Sequence, residues 1–182
     1  FFKYNKISSE LSILKDVYKI KPGSYLSMNI ENHSYNLETN IFWDPITEAT
    51  RLSEQKFANE YLATDSVEKA IENSVISQLI SDVPIGSLLS GGIDSSLVTA
   101  LMAKNSTEKL KTFTVGFKDS SYDESRFAKA ISEHLSTDHT EVLLEEDDCK
   151  DVIPQISKIY DEPFADSSQI PTYFISKIAR KN

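Results

Sequence analysis

Apolar and polar positions change rhythm three times along the chain. After the turn signal Lys21-Pro22-Gly23, residues 24–30 alternate imperfectly, with Tyr25, Leu26, Met28 and Ile30 as the apolar set. A polar turn, Glu31-Asn32-His33-Ser34, separates this run from 35–37, and the pair predicts a β-hairpin. Two short strands bury no core by themselves, so the hairpin reads as the remnant of a domain lying upstream. Residues 39–52, with Trp43-Asp44-Pro45 and a mixed polar run, read as a linker. Val67, Ala70, Ile71, Val75, Leu79 and Ile80 then recur at three- and four-residue spacing. They predict an amphipathic helix over 65–81, with Ser53 or Thr64 as N-cap.

From residue 82 onward the period switches repeatedly. Residues 84–89 read as a short buried strand, and 94–104 as a helix with Leu97, Val98, Leu101 and Met102 on its apolar stripe. Thr112, Phe113, Thr114 and Val115 mark a strand over 111–117. A helix over 125–135 places Phe127, Ala130, Ile131 and Leu135 on one face, and 141–144 is a strand again. Helices follow over about 147–160 and 168–180. Strands alternating with helices predict an α/β fold: a parallel sheet built of βαβ units, with helices on both faces. The domain reading is therefore 1–38, a linker over 39–52, and 53–182.

Composition narrows the chemistry. The 182 residues carry a net charge of −9, which repels a nucleic-acid backbone and argues against nucleic acid as the main partner. No apolar run approaches the roughly 20 residues of a membrane helix. The first twenty residues mix Lys, Asp, Glu and Ser with apolar positions, unlike a secretory signal. The single Cys149 excludes an internal disulfide. Its acidic setting, from Glu145 to Asp151, makes a poor nucleophile, so the residue reads as structurally incidental. The cytoplasm is the expected compartment. The chain begins at Phe1 without Met and is read as a piece of a longer protein.

The chemistry concentrates in Ser90-Gly91-Gly92-Ile93-Asp94-Ser95-Ser96, between a buried strand and an apolar helix. Ligands of open parallel sheets bind at the carboxyl ends of the strands. Gly91 and Gly92 let backbone N–H groups approach an anion and allow positive φ. Those amides form a concave nest, and the helix adds the positive end of its dipole. Ser90, Ser95 and Ser96 add hydroxyls. Asp94 is out of place beside an anion unless Mg²⁺ bridges its carboxylate to phosphate oxygens. No Lys follows Gly92, so this is not a Walker A loop, and the spacing does not fit Gly-x-Gly-x-x-Gly. The competing reading is a plain strand–helix turn with serine caps.

The stretch Asp82-Val83-Pro84-Ile85-Gly86-Ser87-Leu88-Leu89-Ser90-Gly91-Gly92-Ile93-Asp94-Ser95-Ser96 resembles the PP-loop of the ATP pyrophosphatases, in the glutamine-hydrolysing asparagine synthetase branch. Thr112-Phe113-Thr114-Val115-Gly116-Phe117 is similar to that family's second strand, and Tyr122-Asp123-Glu124-Ser125 and Thr137-Asp138-His139-Thr140-Glu141-Val142 to the segments after it. Asp161-Glu162-Pro163-Phe164-Ala165-Asp166-Ser167-Ser168, with Pro171-Thr172-Tyr173, resembles its next block. Lys19 to Tyr25 and Phe42-Trp43-Asp44 are similar to the end of its glutaminase domain and the junction beyond.

The resemblance implies an adenine nucleotide alpha hydrolase-like fold and a two-domain enzyme. A glutaminase supplies ammonia, and a synthetase adenylates the aspartate side chain with release of pyrophosphate before ammonia displaces AMP. By the same resemblance, Leu88 and Val115 contact the adenosine, Ser90 to Ser96 cradle the pyrophosphate, and Asp94 is linked to Mg²⁺. The implied substrates are ATP, aspartate and glutamine-derived ammonia, and a homodimer of the full-length protein is expected. The family's terminal Cys nucleophile has no match here, and its Ser-Gly-Glu-Gly-x-Asp-Glu motif is expected beyond Asn182. Catalytic residues are therefore expected outside this piece, and the piece alone is expected to be inactive.

Two other readings stay open: a related enzyme acting on another carboxylate, such as a β-lactam-forming or sugar-carboxylate amidating synthetase, and a non-catalytic nucleotide-binding scaffold. Glu162, Asp166, Ser167 and Ser168 are candidates for the acceptor pocket, with helix capping and solvation as the plainer alternative. Asp123 and Glu124 read as carboxylates at a helix N-terminus. His134 and His139, five apart with no third ligand, are too thin a set for zinc.

Overall fold

A computed structural model of the chain describes residues 2–31, 34–118, 123–163 and 165–182. Asn32 and His33 of the expected turn, and Tyr122 and Phe164 of the family-like segments, lie outside the described residues. The chain divides into two compact units, Phe1–Ala58 with Ser157–Asp166, and Asn59–Ile156 with Ser167–Asn182.

The first unit holds the hairpin. Strand β1 (Ser24–Glu31) pairs antiparallel with β2 (Ser34–Ile41), in a register running from Ser24↔Ile41 to Glu31↔Ser34. The second strand is longer than its apolar run suggested and takes in the start of the expected linker. Gly23, at φ +74, receives the amides of Phe42 and Trp43 on its carbonyl, at 2.9 and 3.1 Å. None of the hairpin's described residues is buried, so it presents no core face of its own. The rest of the expected linker is a helix, α1 (Pro45–Leu52). Asp44 caps it by accepting the Thr47 amide at 2.8 Å, Pro45 supplies a preset φ, and Arg51 pairs with Glu48 one turn back.

The second unit is α/β. Helix α2 (Glu60–Ser77) starts earlier than its apolar stripe, because Asn59 caps it by accepting the Leu62 amide at 2.9 Å. Then follow β3 (Gly86–Leu88), α3 (Ile93–Asn105), β4 (Lys111–Phe117), α4 (Ser125–His134) and β5 (Asp138–Leu144). The three strands form a parallel sheet in the order β3-β4-β5, with Leu88 opposite Phe113 and Val115 opposite Val142. Helices flank it, as the alternating pattern requires. The helix expected over 147–160 is broken into α5 (Glu146–Val152), a 3₁₀ turn (Ile153–Gln155) and α6 (Ile156–Ile159). Pro154 explains the break, since it has no amide to donate and its ring crowds the carbonyl four residues back. The last helix is α7 (Gln169–Ala179).

One apolar cluster joins α2 to α3: Val75, Leu101, Met102 and Leu110 are buried, and Ile71, Leu79, Ile85 and Ala103 pack on them. The rest of the α2 stripe departs from expectation, with Ile80 90% exposed beyond the helix end. Helix α4 departs further. Phe127, expected inward, is 51% exposed, whereas Ser125, Ala128 and Ser132 form the buried face. Small residues let the helix backbone lie close to the sheet, where a phenyl ring has no room.

Buried hydroxyls tie these layers together. Ser87 on β3 bonds Thr99 on α3 at 2.8 Å. Thr112 on β4 bonds both Thr137 (2.8 Å) and Nδ1 of His139 (2.9 Å). Nε2 of His139 is buried without a partner among the described residues. Burial lowers the His139 pKa from its ordinary value of 6.5, Glu141 pulling the other way. The unfolded chain therefore binds this proton more tightly than the folded one. This contribution to stability is complete above about pH 6.5 and is lost as pH falls through that value toward the lower folded pKa. Urea midpoints measured from about pH 8 down to about pH 5 should decline below pH 6.5, and that part of the decline should vanish in His139→Gln.

Candidate functional site

Strand β3 ends just before the loop. Leu89 is 1% exposed, and its amide makes the last rung to β4, donating to the Phe113 carbonyl at 2.9 Å. Ser90 to Gly92 then turn the chain into α3. Of the two glycines, only Gly91 takes a positive φ, +83, while Gly92 at φ −73 is the N-cap of α3. A Cβ on Gly91 would stand 2.7 Å from Cβ of Phe127 and 2.8 Å from the Ala128 nitrogen, so the loop lies against the first turn of α4. A Cβ on Gly92 would meet only Oγ of Ser90, at 3.4 Å.

The three serines brace the loop from within. Oγ of Ser90 lies 2.9 Å from Oγ of Ser95 and accepts the Gly92 amide at 3.3 Å. Ser95 and Ser96 both donate to the Gly92 carbonyl, at 3.2 and 2.6 Å. No side chain caps α3. The amides of Ile93, Asp94 and Ser95 therefore have no acceptor among the described residues, since a helix cannot satisfy its own first N–H groups. The Asp94 carboxylate is exposed beside them and makes no hydrogen bond among the described residues.

A cleft of about 330 Å³ opens at the carboxyl ends of β3 and β4, lined by Leu88, Leu89, Ser90, Val115 and, from α7, Pro171, Thr172 and Ile175. The structure thus gathers Leu88, Ser90, Gly91, Gly92, Asp94, Ser95, Ser96 and Val115 at the C-terminal edge of β3 and β4 and the start of α3. The contribution of Ile175 was not visible in the sequence, where it is one apolar residue of a helical stripe. At the start of α4, Asp123 accepts the Ser125 amide at 3.0 Å. The Ser125 amide first, and the Phe117 amide and Arg126 charge less strongly, hold its carboxyl below the usual range.

The four acceptor candidates divide between the two units. Glu162 and Asp166 belong to the first unit. Glu162 accepts the Ile13 amide at 3.0 Å and pairs with Lys19, and the Lys19 bond is the main cause of its lowered pKa. Ser167 and Ser168 belong to the second unit and line a larger cleft of about 1030 Å³ with Phe117, Lys118, Leu144 and Cys149. Pro171 lines both of these clefts. Sequence reading missed Lys118, an isolated basic residue whose position past the end of β4 is its only signal; it pairs with Glu145. Burial, then Asp148 and Glu146, push the Cys149 thiol pKa up, which agrees with a non-nucleophilic cysteine. No group of three His, Cys, Asp or Glu suited to a metal ion occurs among the described residues.

The two glycines make unequal demands. Gly91→Ala should cost about 2–4 kcal/mol in denaturant unfolding, combining left-handed strain with a clash against α4 backbone. Gly92→Ala should cost less than about 1 kcal/mol. Equal losses would contradict the loop geometry described here.

The family model described as Asparagine synthase matches residues 66–182. A relative from Methanocaldococcus jannaschii is 32% identical over 100% of this chain, which covers 34% of that protein. Asparagine synthetase (glutamine-hydrolyzing) 1 of Bacillus subtilis is 32% identical over 91% of this chain and 25% of its own length. The Homo sapiens asparagine synthetase (glutamine-hydrolyzing) is 35% identical over 60% of this chain and 20% of its own length. The chain thus spans about a third or less of these relatives, and the family match to its second unit is nearly complete. It belongs to the asparagine synthase family.

Proposed function

We propose that the protein carrying this chain amidates aspartate to asparagine at the expense of ATP, with ammonia drawn from glutamine. A side-chain carboxylate oxygen of aspartate attacks the α-phosphorus, the bond to the β-phosphate breaks, and pyrophosphate leaves with the electron pair. Ammonia then attacks the acyl carbon of β-aspartyl-AMP, and AMP departs with the former carboxylate oxygen. The observation that supports this reading is the uncapped start of α3 beside a loop whose glycines leave the backbone open, next to a cleft lined by Leu88, Ser90 and Val115.

In this reading the amides of Ile93, Asp94 and Ser95 and the α3 dipole take the charge that builds on the leaving pyrophosphate. The hydroxyls of Ser90, Ser95 and Ser96, now turned onto one another and onto Gly92, reorient toward phosphate oxygens. Leu88 and Val115 hold the adenosine. Asp94 fits Mg²⁺, because that ion takes one or two carboxylates with phosphate oxygens and water, and the Asp94 carboxylate has no competing partner among the described residues. When bound, Mg²⁺ supplies charge neutralisation at the phosphates. Ser167, Ser168 and Lys118 line the acceptor side, which meets the nucleotide cleft at Pro171. The compartment we assign is the cytoplasm.

Calorimetric titration of ATP·Mg²⁺ into the full-length protein tests the site. Affinity should fall at least about tenfold in Asp94→Ala, and kcat/KM for aspartate-dependent pyrophosphate release about a hundredfold. Equal binding in both proteins would remove Asp94 from the site. Pyrophosphate release indifferent to aspartate but driven by another carboxylate would reassign the acceptor.

A further inference from the structure

The β3–β4 ladder stops one rung short of where its geometry allows. In a parallel pair, the N–H and C=O of every second residue point to the same neighbour. The Phe113 carbonyl receives the Leu89 amide, so Phe113, Val115 and Phe117 face the β3 side, and Thr112, Thr114 and Gly116 face β5. The next rung would run from the Val115 amide to the Leu89 carbonyl. The buried hydroxyl of Thr114 occupies that carbonyl instead.

The consequence falls on Val115. Its amide has no acceptor among the described residues. Val115 lines the same cleft as Leu88 and Ser90. The Val115 N–H and, by the same alternation, its C=O thus stand at the cleft wall, next to a hydroxyl that bonds the Leu89 carbonyl.

We infer that Thr114 is a positioning residue for the nucleotide: its hydroxyl satisfies the Leu89 carbonyl, ends the β3–β4 ladder, and so reserves the Val115 amide for a ring-nitrogen acceptor of the bound purine. This rests on the reading of the cleft as a nucleotide site. A neighbouring N–H and C=O suit a base that offers an acceptor nitrogen beside an amino group, and disfavour one whose ring nitrogen carries a proton beside a carbonyl. Thr114→Val keeps the shape and removes the hydroxyl. The buried Leu89 carbonyl then has one donor within reach along that edge, the Val115 amide, and the ladder closes by a rung.

Amide exchange in the full-length protein tests this without turnover. In free wild type the Val115 amide should exchange faster than those of Thr114 and Gly116, and addition of ATP should protect it. In Thr114→Val it should be protected before any nucleotide is added. In steady-state assays, Thr114→Val should raise KM for ATP about fivefold to tenfold with kcat within about twofold, and narrow the preference for ATP over ITP, while Thr114→Ser stays within about twofold of wild type. Slow exchange of Val115 in free wild type overturns the inference whether or not Thr114→Val folds. Loss of ATP binding in Thr114→Ser to the same extent as in Thr114→Val also overturns it. Absence of AMP and pyrophosphate with every carboxylate would instead sink the enzymatic reading, and the exchange result would still stand alone.

Discussion

A contact with no room for a Cβ governs the second unit: where a Gly91 side chain would begin, Cβ of Phe127 stands 2.7 Å away and the Ala128 nitrogen 2.8 Å. The loop reaches α4 only because Gly91 adopts φ +83, and α4 meets the loop only because its inner face is Ser125, Ala128 and Ser132. A second contact of the same kind lies nearby. A Cβ on Gly116 would stand 2.6 Å from an Asp123 oxygen and 2.9 Å from Cβ of Ser125. Two glycines on neighbouring segments therefore dock the start of α4 onto the edge of the sheet, and the start of α3 is left open on the other side of the loop.

That opening is electrostatic in a particular way. The protein carries a net charge of −9, yet the proposed ligand is an anion. None of the residues lining the Leu88–Val115 cleft is charged. Lys118 is engaged with Glu145, and Lys104 with Glu72. The favourable field comes from backbone dipoles that are fixed before a ligand arrives, and from the end of α3. A site built this way draws on no basic side chain among the described residues of that cleft. It does depend on the loop keeping its shape, which the hydroxyl network of Ser90, Ser95 and Ser96 and the buried Ser87–Thr99 bond maintain.

Much of this was legible in the residues. The strand Lys111–Phe117 has the bounds its β-branched run gives, and Ser90 to Ser96 sits between strand and helix as its composition demands. What was not legible shares a cause: polar and small residues whose work is done by a backbone group. Asp44 stands in the expected linker, and one hydrogen bond from the Thr47 amide makes it the cap of α1. Phe127 outweighed Ala128 on a hydrophobic scale, yet the closeness of Gly91 decides which face turns inward. Glu162, an acceptor candidate by its neighbours in sequence, accepts the Ile13 amide and pairs with Lys19, contacts that no local pattern announces. Thr114 looked like any strand threonine; only the register of β3 against β4 shows what its hydroxyl displaces.

The loop at Ser90 to Ser96, in the function proposed, serves attack of a carboxylate on the α-phosphorus of ATP. Isotope transfer tests it most directly. The full-length protein is supplied with aspartate labelled with ¹⁸O in the side-chain carboxylate, ATP and ammonium, and the products are resolved by mass. One ¹⁸O is expected in each AMP formed and none in pyrophosphate. Label in inorganic phosphate, accompanied by ADP, would mean attack on the γ-phosphorus and would contradict it.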